Sequence, residues 1–212
     1  MTSIAVIDYG MGNLRSVSKA LEHVAPGARV EVTSDPVAVA AADRVVFPGQ
    51  GAMPDCMREM DARGLRPAVL AAAQAKPFLG ICIGLQMLFE SSDEGDVRGL
   101  AVLAGRVRRF PREAMHDRKG MRLKVPHMGW NRVQQRNAHP LWSGIEDCTR
   151  FYFVHSYYAE AADERIVSGV SDYGLPFTCA VARDNIFAVQ FHPEKSHIAG
   201  LRLLSNFVDW NR

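Results

Sequence analysis

Three short segments of this 212-residue chain carry residue types suited to nucleophilic catalysis. Gly80-Ile81-Cys82-Ile83-Gly84 lies where an apolar run gives way to a helical pattern, the layout of a nucleophile elbow. Glycines on either side lack Cβ atoms, so strand and helix backbones can crowd together while the central residue occupies a strained, exposed turn. A helix starting there would aim its N-terminus at the Cys82 sulfur and favour the thiolate. The Ile83 N–H would face a developing oxyanion. Read alone, the pattern is equally that of a small buried cysteine.

A cysteine nucleophile needs a base, and the base needs an orienting group. Gln190-Phe191-His192-Pro193-Glu194 offers both. Residues two apart in an extended chain point to one side, so Glu194 can hold one imidazole nitrogen of His192 and leave the other for Cys82. Pro193 fixes its own φ and biases His192 toward extended geometry. Taken singly, His-Pro-Glu reads more simply as a surface pair at a strand end. The third segment, Phe47 to Ala52, follows an expected strand. Its two glycines free the backbone of Gly49, Gln50 and Gly51 to present an N–H inward, which with Ile83 would make an oxyanion hole. By itself it is a glycine-rich turn. Each segment ends a different expected strand, and that coincidence argues for a shared site.

The elements that must position them follow from the apolar pattern. Ile4 to Ile7, Arg29 to Val32, Arg44 to Phe47 and Pro77 to Cys82 are short apolar runs bounded by turn residues, as buried strands are. Helical segments such as Leu14 to Val24 and Leu65 to Gln74 alternate with them. The expected fold is α/β, a flavodoxin-like, mostly parallel sheet flanked by helices, with ligands gathering at the carboxyl ends of the strands. The second half adds antiparallel strands. Phe151 to Tyr158 alternates, and Phe177 to Arg183 pairs with Ile186 to Phe191 across an Asp184-Asn185 turn. A helix from about Ile198 to Trp210 closes the chain. One domain spanning residues 1–212 is the simplest organisation.

Composition narrows the class. A formal net charge of +2 argues for neither nucleic acid nor membrane as a partner. Cys56, Cys82, Cys148 and Cys179 are scattered without zinc-ligand spacing, so no metal is expected and the compartment reads as reducing. No secretory signal or membrane-length apolar run is present in the sequence. Cys56, Cys148 and Cys179 read as inert, Trp142 and Trp210 as core aromatics, and the basic stretch Gly105 to Lys124 as a solvated face in preference to a dock for an acidic partner. His23, His116, His127 and His139 receive no role.

PGQGA, GICIGLQ and QFHPE, in this order and spacing, resemble the class I, triad-type glutamine amidotransferases. IDYGMGNLRSV, PHMGWN (126–131), FYFVHSYY (151–158) and FHPEKS (191–196) resemble the branch formed by the glutaminase subunits of imidazole glycerol phosphate synthases. The resemblance covers essentially the whole chain. It implies a cytoplasmic enzyme, without cofactor, that hydrolyses glutamine through a glutamyl thioester. Cys82 would be the nucleophile, His192 the general acid/base and Glu194 its orienter, with the N–H groups of Gly49, Gln50, Gly51 and Ile83 as the oxyanion hole. Gln86, Glu94, Ser156 and Tyr157 match glutamine-binding positions. The implied partner is a (β/α)₈-barrel cyclase subunit, forming a heterodimer, which uses the ammonia to convert PRFAR to imidazole glycerol phosphate and AICAR in histidine biosynthesis. Asp8 to Asn13, Pro126 to Asn131, His155 and Lys195 match segments facing that partner. His197 stands where a small hydroxyl residue is common and is assigned no substrate contact.

Other readings use the same residues. The glutaminase subunit of pyridoxal phosphate synthase is the runner-up, against which IDYGMGNL and PHMGWN argue. A stand-alone γ-glutamyl hydrolase would use the same triad. A redox sensor with Cys82 as an oxidisable thiol would not need His192 or Glu194.

Overall fold

The computed structural model describes residues 1–111, 115–117 and 119–211. Its first half realises the expected alternation: β1 (Ser3–Ile7), α1 (Leu14–Val24), β2 (Arg29–Thr33), α2 (Pro36–Ala41), β3 (Arg44–Gly49), α3 (Met53–Ala62), α4 (Arg66–Ala75) and β4 (Phe78–Cys82). β3 and β4 are buried along their whole length, as apolar strands covered by helices on both faces must be. On α1, the buried residues Val17, Ser18, Ala20 and Leu21 form one stripe at helical spacing. Pro36, Pro54 and Pro67 stand in the first turns of α2, α3 and α4, where a missing N–H leaves no helical bond unmade.

The chain continues through α5 (Ile83–Gln86), β5 (Phe89–Ser92), β6 (Val97–Arg98), β7 (Leu103–Arg109), β8 (His127–Arg132), β9 (Gln134–Gln135) and β10 (Arg150–His155). β11 (Tyr157–Ala161), β12 (Val167–Asp172), β13 (Pro176–Arg183), β14 (Ile186–Val189) and α6 (His197–Asp209) complete it. Among the described residues twelve strands form one sheet in the order β2-β1-β3-β4-β14-β13-β11-β7-β5-β6, with β12 attached to β13 and β9 to β12. From β2 to β14 the neighbours are parallel. β13 pairs antiparallel with β14 across the expected turn, where Asp184 takes a positive φ of 52°. β8 and β10 make a separate two-stranded sheet.

Two elements differ from expectation. The alternation from Phe151 to Tyr158 is not one strand: it breaks at Ser156, β10 pairs with β8, and β11 joins β7 in the large sheet. The break lets the chain leave one sheet and enter the other. The helix after Cys82 is a single turn rather than a full helix, so its macrodipole contribution is small and the nearest N–H groups matter more. In the basic stretch, Arg106 and Arg108 pair with Glu160 at the surface, while residues 112–114 and 118 lie outside the described ones. Trp142 and Trp210 are buried in the core with Phe47, Phe78, Phe187 and Phe207. No helix among the described residues is long and apolar enough to cross a membrane.

Candidate active site

β3, β4 and β14 are adjacent and parallel, and their carboxyl ends are level. Gly49 stands in register with Cys82, and Val189 with Ile81. The three segments singled out above therefore emerge side by side at the edge where parallel sheets bind ligands. Cys82 has φ 57° and ψ −109°, a conformation rarely adopted by residues with side chains. The crossing here is close. A Cβ on Gly84 would stand 1.8 Å from the Phe47 carbonyl oxygen, and one on Gly80 would stand 2.9 Å from the Ala188 Cβ. Cys82 itself is only 5% exposed, so the elbow presents its sulfur to a pocket and not to open solvent.

His192 follows β14 and is pinned on both sides of its backbone. Its N–H donates to the Tyr152 carbonyl at 2.9 Å, and its carbonyl accepts from Ser196 Oγ at 2.6 Å. The imidazole Nδ1 lies 2.9 Å from Glu194 Oε1. His192 is extended, with φ −104° and ψ 96°, as a residue before proline is expected to be, but Pro193–Lys195 is a 3-10 turn, so the carboxylate reaches the ring from a turn and not along a straight strand. Burial disfavours charge on His192, but the Cys82 sulfur and the Glu194 carboxylate outweigh it and raise its pKa to about 10. The ring is held protonated, with the sulfur on one side and the carboxylate on the other. Among the described residues, the aligned hydrogen bond to the sulfur comes from Gln190 Nε2 at 3.7 Å. Nucleophile–base contacts commonly tighten only when substrate binds.

Cys82 and His192 open onto a cavity of about 380 Å³, lined also by Gln50, Gly51, Ile83, Gln86, Glu94, Ser156 and Tyr157. That is the small end of the ligand-pocket range. Gly49 lies behind the lining. A Cβ there would stand 2.0 Å from Tyr9 Oη and 3.1 Å from Ile83 Cβ, and Tyr9 Oη donates to the Pro48 carbonyl at 2.9 Å. Gly49 is thus required for close packing, while Gln50, Gly51 and Ile83 face the cavity. Glu94 is not a loose surface acid: its Oε2 accepts from the Met53 N–H at 2.8 Å and caps α3. Gln86 Nε2 donates to the Tyr157 carbonyl at 3.1 Å and to Gln190 Oε1 at 2.9 Å. Its own Oε1 is buried without a partner among the described residues, an acceptor left for a ligand.

The remaining cysteines behave differently. Burial pushes the Cys56 thiol up to about 11 and the Cys179 thiol higher still, so neither supplies a thiolate at neutral pH. Cys148 is exposed. No group of three or more potential metal ligands occurs among the described residues.

Sequence reasoning missed two features. Gln190, which the sequence shows only as part of QFHPE, contacts both Gln86 and Cys82. Its signal lies in strand register, since the residue after Val189 must flank the residue after Ile81. His127, given no role, hydrogen-bonds through Nδ1 to His155 Nε2 at 2.8 Å, and His155 Nδ1 lies 2.8 Å from the Tyr157 carbonyl. A carbonyl only accepts, so His155 carries its proton on Nδ1 and receives one from His127. Burial lowers their pKa values to about 3 and about 4 respectively, with the like charge of the neighbouring ring adding at His155. The pair is neutral near pH 7.

Residues 5–210 match the family described as glutamine amidotransferase class-I. A Dechloromonas aromatica (strain RCB) protein named imidazole glycerol phosphate synthase subunit HisH is 73% identical over 208 residues, covering 98% of this chain and 96% of its own. A protein of the same name from Thiobacillus denitrificans (strain ATCC 25259 / T1) is 68% identical, covering 98% and 91%. Among solved structures, PurLQS from Thermotoga maritima matches with a TM-score of 0.73 at 18% identity, over 98% of both chains. A glutamine amidotransferase from the same organism matches at 0.60 and 16%, over 91% and 76%. These two share the fold. The sequence match runs nearly end to end, and the chain belongs to the class-I glutamine amidotransferase family.

Proposed function

We propose that this chain, acting as one domain over residues 1–212, is the glutaminase subunit of an imidazole glycerol phosphate synthase. The observation that carries the reading is the buried His192–Glu194 pair beside Cys82 at the mouth of a cavity sized for one amino acid. The name shared by the two relatives favours this assignment over a pyridoxal phosphate synthase subunit.

The Cys82 thiolate attacks the side-chain amide carbon of glutamine. Negative charge moves to the amide oxygen, where N–H groups of Ile83 and the Gln50–Gly51 segment stabilise it. His192 gives its proton to the amide nitrogen, the C–N bond breaks, and ammonia leaves a glutamyl thioester on Cys82. Water then loses a proton to His192 and attacks the thioester carbon. Collapse releases glutamate and returns the proton and sulfur to their starting state. Glu194 keeps the ring oriented and offsets its charge throughout. Gln86, Glu94, Ser156 and Tyr157 hold the polar ends of the substrate.

Ammonia released into neutral water would be protonated and lose nucleophilicity. A cyclase partner built as a (β/α)₈ barrel, receiving ammonia directly, fits that constraint. The docking face in this reading includes Met128 and Trp130, exposed at 62% and 43%. Trp130 is held flat against His197, with ring centroids 5.0 Å apart and planes 5° apart. The cytoplasm, where thiols stay reduced, is the implied compartment. The test is glutamate release with and without the cyclase and its ligand. Activity should be weak alone and rise sharply in the complex. Equal activity in both would refute the assignment to such a complex.

A further inference from the structure

We propose that Gln190 is a positioning residue for the nucleophile: its carboxamide N–H holds the Cys82 sulfur at the cavity and stabilises negative charge on it. This rests on the proposed glutaminase reading, in which Cys82 is the attacking atom.

The orientation of the Gln190 amide is fixed by a chain of hydrogen bonds with only one consistent direction. The Tyr157 carbonyl can only accept, and Gln86 approaches it at 3.1 Å, so the group Gln86 presents is its NH₂. That NH₂ also lies 2.9 Å from the Gln190 carboxamide, which must turn its oxygen toward Gln86. The Gln190 NH₂ is then left facing the sulfur, 3.7 Å away. His155 Nδ1–H donates to the same Tyr157 carbonyl at 2.8 Å, which fixes the far end of the chain.

Placement on the backbone is equally constrained. Gln190 follows β14 in register beside Cys82, its N–H donates to the Cys179 carbonyl at 2.8 Å, and the residue is fully buried. Among the described residues, the titratable groups coupled to the sulfur include His192, Tyr9 and Cys56. His192 must move its proton during turnover and so cannot be a constant support. Tyr9 and Cys56 are both held toward their neutral forms by burial. Gln190 is the neighbour whose donor stays in place throughout the reaction. Through Gln86, whose unpaired Oε1 belongs to the cavity wall, it also ties substrate contact to the sulfur.

The test is the pH profile of Cys82 alkylation by iodoacetamide in the full chain, read by peptide mass spectrometry so that exposed Cys148 does not contribute. Gln190→Glu keeps the shape and the acceptor for Gln86 but replaces the donor with negative charge. Gln190→Met removes both polar groups and serves as the second variant, with thermal melts recorded for each. At neutral pH, labelling should slow on the order of tenfold in Gln190→Glu and less in Gln190→Met. The midpoint of each profile should move to higher pH while the alkaline plateau stays at the wild-type level. Profiles that superimpose on wild type, or a uniform change at every pH without a moved midpoint, would overturn the proposal. Should Gln190→Met fail to fold, the charge-bearing variant decides the matter alone. Labelling needs neither glutamine nor a cyclase, so this result is independent of whether the glutaminase assay succeeds.

Discussion

His192 Nδ1 stands 2.9 Å from Glu194 Oε1, with 4% and 1% of the two side chains exposed. A carboxylate so thoroughly withdrawn from water needs a cation, and the second Glu194 oxygen has no hydrogen-bond partner among the described residues. The protonated imidazole supplies that charge, and the carboxylate in turn sets which ring nitrogen faces the sulfur.

Replacing Glu194 by Gln keeps the shape and removes the charge. Turnover of glutamine in the complex should fall by roughly 10²–10⁴-fold, with KM changed little, because the loss is confined to the protonated state of the ring. Adding Cys82→Ser to that variant should lower activity far less than the product of the separate effects, since the groups act as a unit. Steady-state kinetics of both single variants and the double variant check this.

The elbow makes a steric prediction. Gly84→Ala would set a methyl 1.8 Å from the Phe47 carbonyl, whereas Gly27→Ala meets nothing within 4 Å. The first should cost more than about 2 kcal/mol of unfolding free energy and the second less than about 0.5 kcal/mol. Paired urea melts measure the difference, and comparable midpoints for the two variants would rule out the tight crossing.

Much of this arrangement was legible in the sequence. The apolar runs ending at Phe47 and Cys82 became neighbouring buried strands, and the Asp184-Asn185 turn became a hairpin, because burial and turn chemistry act locally. What local pattern does not carry is register between distant strands. Gln190 flanks Cys82 only because β14 inserts beside β4, and His127 meets His155 only because β8 pairs with β10. The single-turn α5 was likewise hidden, since the apolar run Met87 to Phe89 continues a helical pattern as readily as it begins a strand.

That histidine pair predicts an acid sensitivity. His127 and His155 have folded values near about 4 and about 3, below their ordinary 6.5. Such groups contribute stability above 6.5 and lose it as pH falls toward the folded values, because the unfolded chain binds the protons first. His192, raised to about 10, works in the opposite sense: its contribution is complete below 6.5 and fades as pH rises through its folded value. Below pH 6.5, each neutral ring steepens the loss of stability by up to about 1.4 kcal/mol per pH unit. His127→Gln should flatten the decline between 6.5 and about 4, and an unchanged slope in denaturant melts across that range would contradict the buried neutral pair.

In the proposed reaction a glutamine-like molecule is attacked by the Cys82 sulfur in this cavity. Its most direct test is treatment of the cyclase-bound chain with 6-diazo-5-oxo-L-norleucine, a glutamine analogue that alkylates its attacker, followed by peptide mass spectrometry. One adduct should form on the Cys82 peptide, be suppressed by excess glutamine and be absent from Cys82→Ala. Labelling at Cys148, or labelling that survives in Cys82→Ala, would contradict it.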